Sequence, residues 1–131
     1  MKVLALDYGS ARTGVAVSDP TGTIARPLEV VEQASTDAGL ARLAAIVHEQ
    51  DAERIVVGLP LTLRGEHGAQ AKETEAFAEE LRARLWVPVE LFDERFTTAL
   101  AASAPSSRAA EDARAAAHLL ESYLTWTSTA E

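Results

Sequence analysis

Cysteine is absent from the 131 residues, which excludes a disulfide framework, a thiolate-built zinc site and a cysteine nucleophile. Long apolar runs are absent as well. Stretches such as Val3 to Leu6 and Ile55 to Val57 are a small fraction of the roughly 20 residues that a bilayer span needs. Val3 to Leu6 is also too short for the apolar segment of a secretory signal, so no membrane partner and a cytoplasmic address are expected. Basic residues are in the minority: 12 Lys+Arg face 20 Asp+Glu, a formal net charge of −8. That balance excludes a protein whose whole surface attracts nucleic acid or anionic lipid. Aromatic residues make up only 5%, and the 47% hydrophobic fraction is swollen by alanine. A chain of this length still buries enough surface to fold unaided, so a single domain over 1–131 is expected.

The patterning that is present divides the chain in two. Lys2 to Tyr8 alternates Val3, Ala5 and Asp7 with Leu4, Leu6 and Tyr8 and stops at Gly9, as a strand does. Val15 to Asp19 is a second short run, closed by Asp19-Pro20-Thr21-Gly22, whose Asp, Pro and Gly suit a type I turn. Leu28 to Val31 is a third, and the short connections favour an antiparallel meander. The period then changes. Ser35 is the expected N-cap of a helix with Asp37 in its first turn and Leu40, Leu43, Ala44 and Val47 on its apolar stripe. Ile55 to Val57 reads as a strand ended by Gly58-Leu59-Pro60. The loop Leu61 to Gly68 leads to a helix carrying Ala71, Phe77, Ala78, Leu81 and Leu85. Val89 to Phe92 is a fifth strand, and a last helix covers roughly Ser107 to Trp126, with residues 125–131 expected to fray. The order β-β-β-α-β-α-β-α predicts an α/β fold, a mixed five-stranded sheet flanked by helices.

Three carboxylates stand where a core face should be. Asp7 shares its face with Val3 and Ala5, and burying a lone carboxylate costs several kcal/mol unless something compensates it. A local turn-capping role explains a single Asp equally well. Asp93-Glu94-Arg95 ends the fifth strand, at the strand edge where α/β sheets bind ligands. Alternation puts Asp93 with Val89 and Leu91, and Glu94 with Glu90 and Phe92. One of the two therefore points to a site and the other pairs locally, for instance with Arg95; the spacing leaves open which. Asp112 falls on one helical stripe with Ala116, Leu119 and Tyr123, so it faces the sheet. Glu111 beside it already supplies an acid to the helix N-terminus. Three inward carboxylates without cysteine suit Mg²⁺ or Mn²⁺. Two such ions about 3.5–4 Å apart can clamp both sides of a phosphodiester in an in-line displacement.

Asp7 to Gly14 adds a glycine-bearing loop in which Gly9, Gly14 and Arg12 suit a phosphate, although a plain hairpin with glycines at positive φ is the simpler reading. Arg64 and His67 lie in the Leu61–Gly68 loop and Arg95 beside the fifth strand, so these three are further candidate substrate contacts. Ten of the 12 basic residues are Arg, the side chain suited to bidentate phosphate contact.

These segments occur in a familiar order: Leu6-Asp7-Tyr8-Gly9 with Gly14-Val15-Ala16-Val17-Ser18, then Val57-Gly58-Leu59-Pro60-Leu61 with Gly65, then Asp93-Glu94-Arg95-Phe96-Thr97-Thr98, then Asp112-Ala113 with Ala116, Leu120 and Tyr123-Leu124. Across almost its whole length the chain resembles the YqgF/RuvX family of Holliday-junction-resolvase-like nucleases. The resemblance implies an RNase H-like fold and a divalent-metal endonuclease acting on structured nucleic acid, either branched DNA or the precursor of the small-subunit ribosomal RNA. It places the family's acidic positions on Asp7, on the Asp93-Glu94 pair with Glu94 favoured, and on Asp112. Symmetric cleavage of a four-way junction would favour a two-fold dimer. One departure stands out: the segment from Thr98 to Asp112 is short and Ala-rich, with Arg108 its only cation, where the family usually carries a longer and often Lys-rich element. Two rival readings are a nucleotide-binding domain of the actin/Hsp70/sugar-kinase type and a non-catalytic nucleic-acid adaptor. The first would need a second such domain to clamp ATP, and the chain has length for one.

Overall fold

A computed structural model describes residues 1–96 and 108–129. Strands β1 (Val3–Asp7), β2 (Arg12–Ser18) and β3 (Ala25–Glu32) form the antiparallel meander, and β4 (Arg54–Leu59) and β5 (Val89–Asp93) join parallel to β1. The sheet order is β3-β2-β1-β4-β5. Because β1, β4 and β5 are parallel, their carboxyl ends, Asp7, Leu59 and Asp93, meet at one edge of the sheet.

Strand alternation sorts the side chains onto two faces. Leu4, Leu6, Val15, Val17, Ile55 and Val57 pack against helices α1 (Asp37–Gln50) and α2 (Ala69–Arg84), around Leu43, Ile46, Phe77 and Leu81. Val3, Ala5, Ala16, Val56 and Phe92 pack against the single helix α3 (Arg108–Thr129), through Ala116, Ala117, Leu119, Leu120 and Tyr123. Small residues on this second face let α3 lie close. A Cβ on Gly14 would stand 1.9 Å from the backbone oxygen of Asp112, so only glycine fits beneath the helix there. Burial of each large side chain contributes about 1.5–3 kcal/mol, and two such layers on a five-stranded sheet give a continuous core on both sides.

Several local expectations are corrected. The N-cap of α1 is Thr36, not Ser35: Thr36 Oγ1 accepts from the Gly39 N–H at 3.1 Å, and the Thr36 N–H is itself fixed on the Gln33 carbonyl at 3.1 Å. The last helix runs on through Thr129, past the expected end at Trp126, with Thr127 Oγ1 donating to the Tyr123 carbonyl at 3.0 Å. Neither Gly9 nor Gly14 has a positive φ. Gly9 is needed for room instead, since a Cβ there would lie 2.5 Å from the Arg12 carbonyl oxygen. At Asp19–Gly22 the turn forms with the Gly22 N–H on the Asp19 carbonyl at 2.9 Å and Gly22 at φ 72°. The Asp19 carboxylate accepts from the N–H groups of Thr23 and Ile24, which hold it well below the usual carboxylate range. Strand β3 begins at Ala25 and carries Pro27, tolerated because β3 is an edge strand.

Candidate active site

Asp7 ends β1 on the α3 side of the sheet, sharing that face with the buried Val3 and Ala5. Glu94 opens a short 3-10 turn, Glu94–Phe96, directly after β5. Its carboxyl is hydrogen-bonded to that of Asp7. Burial and the Asp7 charge push Glu94 up to about 7, and burial raises Asp7 as well, with the nearby Asp112 adding to the rise. Both shifts run the same way, toward a pair that retains a proton above the usual carboxylate range.

Room for this pair comes from Gly58, opposite Phe92 in the β4–β5 ladder. A Cβ at Gly58 would fall 2.6 Å from Glu94 Oε1 and 3.1 Å from Leu119 Cδ2. In the sequence Gly58 closes the fourth strand and opens a second glycine-bearing loop near the same edge, with no individual role assigned to it. Its signal was a glycine interrupting an otherwise β-branched strand, which marks a close approach from outside.

Asp112 lies early in α3, with its backbone directly over Gly14, the residue opposite Asp7 in the β1–β2 ladder. Its carboxylate meets Arg12: Oδ2 stands 2.9 Å from Arg12 Nε. Both atoms are buried, yet the N–H is not aimed at the oxygen, so the contact is an ion pair without a hydrogen bond. Among the described residues no three carboxylate or imidazole groups converge tightly enough to ligate one ion as they stand.

The other candidates separate from this cluster. Asp93 points away: it accepts from Arg95 Nε at 2.9 Å and Nη2 at 2.6 Å and from the Arg95 backbone N–H at 2.9 Å, which holds it below the usual carboxylate range. Arg95 is thereby engaged, and its Nη1 reaches the Leu63 carbonyl at 3.5 Å, tying the β4–α2 loop to the end of β5. Gly14 is buried under α3 and opens no surface to a phosphate. His67 is docked on α2, with Nδ1 2.6 Å from Glu75 Oε1. Arg64 is exposed on the same loop, next to the exposed Leu63. The segment 97–107, which holds most of the shortened connection before Asp112, lies outside the described residues.

The donor set fits a hard cation. Asp7 and Glu94 bring two partly buried carboxyls together, an arrangement whose mutual repulsion a positive charge between them relieves. Asp112 is close enough for its charge to act on Asp7. The arrangement is an α/β domain of RNase H-like architecture with carboxylates gathered at the carboxyl edge of its parallel strands. Over 97% of its length it superposes on Thermus thermophilus RuvC solved with a Holliday junction substrate, covering 96% of that chain at a TM-score of 0.62 and 21% identity. At that identity the likeness shows the fold alone.

The sequence itself is more specific. Residues 1–126 match RuvX, the family described as Holliday junction resolvase, and the chain belongs to that family. A relative from Anaeromyxobacter sp. (strain Fw109-5), named as a pre-16S rRNA nuclease, is 45% identical over 95% of this chain and 96% of its own. A protein of the same name from Moorella thermoacetica is 38% identical over 95% of this chain and 94% of its own. The one from Chloroflexus aurantiacus (strain ATCC 29366 / DSM 635 / J-10-fl) is 46% identical, over 76% of this chain and 65% of its own length. No helix among the described residues is long and apolar enough to cross a membrane.

Proposed function

We propose that this nuclease is a divalent-metal-dependent endonuclease that hydrolyses phosphodiester bonds in structured nucleic acid, with Asp7, Glu94 and Asp112 as its acidic residues. The observation that carries the reading is the meeting of the Asp7 and Glu94 carboxyls at the carboxyl edge of the sheet, with Asp112 near enough to act on Asp7. Mg²⁺ or Mn²⁺ held there would supply positive charge against the phosphodiester oxygens. Asp7 and Glu94 would hold it, with Asp112 as the third donor. Glu94 would give its proton to solvent as the cation enters, which its raised affinity makes dependent on pH. The Arg12 guanidinium, half-exposed at the same edge, is the cation placed to receive a backbone phosphate. Water attack at phosphorus then breaks one P–O bond and leaves a phosphate monoester and a free hydroxyl.

Family membership and the relatives' names supply two substrates, a four-way DNA junction and a pre-16S ribosomal RNA. Both are branched or folded, consistent with a net charge of −8, which leaves only a local basic grip. Junction cleavage would call on two copies related by a two-fold axis, and precursor maturation would take place in the cytoplasm. The decisive assay compares a synthetic four-way junction with a ribosomal precursor fragment, in Mg²⁺, in Mn²⁺ and in chelator. Cleavage is expected only with metal, and Asp7→Asn is expected to abolish it while sparing binding. Unchanged turnover in Asp7→Asn would sink the assignment.

A further inference from the structure

The Arg12–Asp112 pair sets two demands on one side chain. Asp112 is the third carboxylate of the cluster, yet its Oδ2 is turned onto Arg12 Nε at 2.9 Å, and no three acidic groups converge while it stays there. Arg12 is also the cation at this edge best placed for a phosphate. Its side chain is 34% exposed, and Asp112 is its only ion-pair partner among the described residues. The contact itself is loosely made. The two facing atoms are buried but share no hydrogen bond, so parting them sacrifices charge attraction and no well-formed bond. The Asp112 backbone already rests over Gly14, across the ladder from Asp7.

We propose that Arg12 couples substrate binding to completion of the metal-binding cluster: it holds Asp112 aside in the free protein and releases it when a backbone phosphate takes the guanidinium. The exchange replaces one ion pair by another, the guanidinium–carboxylate contact that makes no hydrogen bond here by a guanidinium–phosphate pair, which can be bidentate. The freed Asp112 carboxylate then faces Asp7 and Glu94 with its charge uncompensated, a state that a divalent cation stabilises. By thermodynamic reciprocity, substrate must tighten metal binding and metal must tighten substrate binding by the same factor. Arg12 is thus a positioning residue acting through Asp112. The device also keeps the cluster incomplete until nucleic acid is present. This inference rests on the metal-nuclease reading of the site.

Mn²⁺ binding to the full chain, followed by titration calorimetry with and without a four-way DNA junction carrying phosphorothioate linkages at its branch, tests the coupling without relying on turnover. In the unaltered protein the junction is expected to tighten Mn²⁺ binding about ten-fold, within the usual range of coupling between sites. Arg12→Gln is expected to bind Mn²⁺ several-fold more tightly on its own and to gain nothing further from the junction. In an Asp112→Asn background, Arg12→Gln is expected to change nothing. Asp112→Asn alone is expected to lose the junction-dependent gain, so the test stands even if Arg12→Gln does not fold. Equal tightening by the junction with and without Arg12 overturns the coupling. So does an Arg12→Gln effect that persists undiminished in Asp112→Asn, since that is mere removal of a nearby positive charge. Mn²⁺ binding that ignores the junction in the unaltered protein overturns the coupling alone, whereas no Mn²⁺ binding at all overturns the nuclease reading with it.

Discussion

The carboxyls of Asp7 and Glu94 meet where β1 ends and the turn after β5 begins, and burial pushes both toward the protonated form. With its affinity pushed up to about 7, Glu94 binds a proton in the folded chain over a range where the unfolded chain has released it. The sign follows from linkage: where the native state holds more protons, stability falls as pH rises. The metal-free protein is therefore expected to be most stable near pH 5 and to lose stability steadily as pH climbs through about 7. Glu94→Gln, which cannot ionise, is expected to flatten that slope. Thermal melts in chelator at pH 5, 6, 7 and 8 measure it, and a melting temperature that rises across this window for the unaltered protein contradicts the raised proton affinity of Glu94.

Metal should reverse that slope. A cation that binds only the folded chain adds RT ln(1 + [L]/Kd), about 2.7 kcal/mol at 100 times Kd. Because the cation displaces the Glu94 proton, its effect is expected to be largest at pH 8 and weakest at pH 5, the opposite trend to the metal-free protein. Differential scanning fluorimetry with Mn²⁺ against chelator, at both pH values, checks this. Asp7→Asn should show little Mn²⁺ stabilisation at either.

Arg95 bridges the Asp93 carboxylate and the Leu63 carbonyl, and a Cβ added at Gly65, which holds φ 81°, would stand 3.2 Å from its guanidinium. It therefore holds the β4–α2 loop, which carries the exposed Leu63 and Arg64, against the site edge. Arg95→Ala is expected to raise KM several-fold while changing kcat little, because the carboxylates stay in place and only the loop is loosened. Hydrogen exchange should show lost protection at the Gly65 and Glu66 amides, which bond to Thr62. A fall in kcat with unchanged KM and unchanged exchange would place Arg95 in the chemistry instead.

The placement of two carboxylates of the candidate site was legible in the sequence. Alternation alone placed Asp7 on a face with Val3 and Ala5, and the helical stripe through Ala116, Leu119 and Tyr123 turned Asp112 toward the sheet; all five of those apolar partners are buried on the α3 side. The choice between Asp93 and Glu94 was not legible, because it depends on which helix covers which face of β5, a relation between segments far apart in the chain. The same limit hid the partner of Arg12, one hundred residues away, and the employment of Arg95 on a loop thirty-two residues upstream. Ser35 and Thr36 are chemically equivalent caps, and the selection was made by a turn that fixes the Thr36 N–H on Gln33. His67 looked like a substrate contact because its loop lies at the site edge, but its imidazole meets Glu75 on α2.

Two glycines near the cluster should respond differently to the same substitution. At Gly58 an added Cβ meets Glu94 Oε1 at 2.6 Å and Leu119 Cδ2 at 3.1 Å, both ends of side chains that can turn aside. Gly58→Ala is therefore expected to cost on the order of 1–3 kcal/mol as a modest overpacking. Activity should suffer more than stability, by about 10²-fold, because Glu94 is the group displaced and a shift near 1 Å is enough for that loss. At Gly14 the added Cβ meets the Asp112 backbone oxygen at 1.9 Å and its carbonyl carbon at 2.5 Å, and backbone cannot turn aside. Helix α3 would have to lift from β2, opening the core around Ala16, Ala116 and Leu120. Gly14→Ala is expected to exceed the Gly58→Ala loss of stability and to remove activity with the fold. Denaturant midpoints set beside kcat for the two variants separate the cases, since Gly58→Ala should stay folded and slow while Gly14→Ala should unfold early. Equal midpoints with equal activities would mean that neither glycine is holding a neighbour in place.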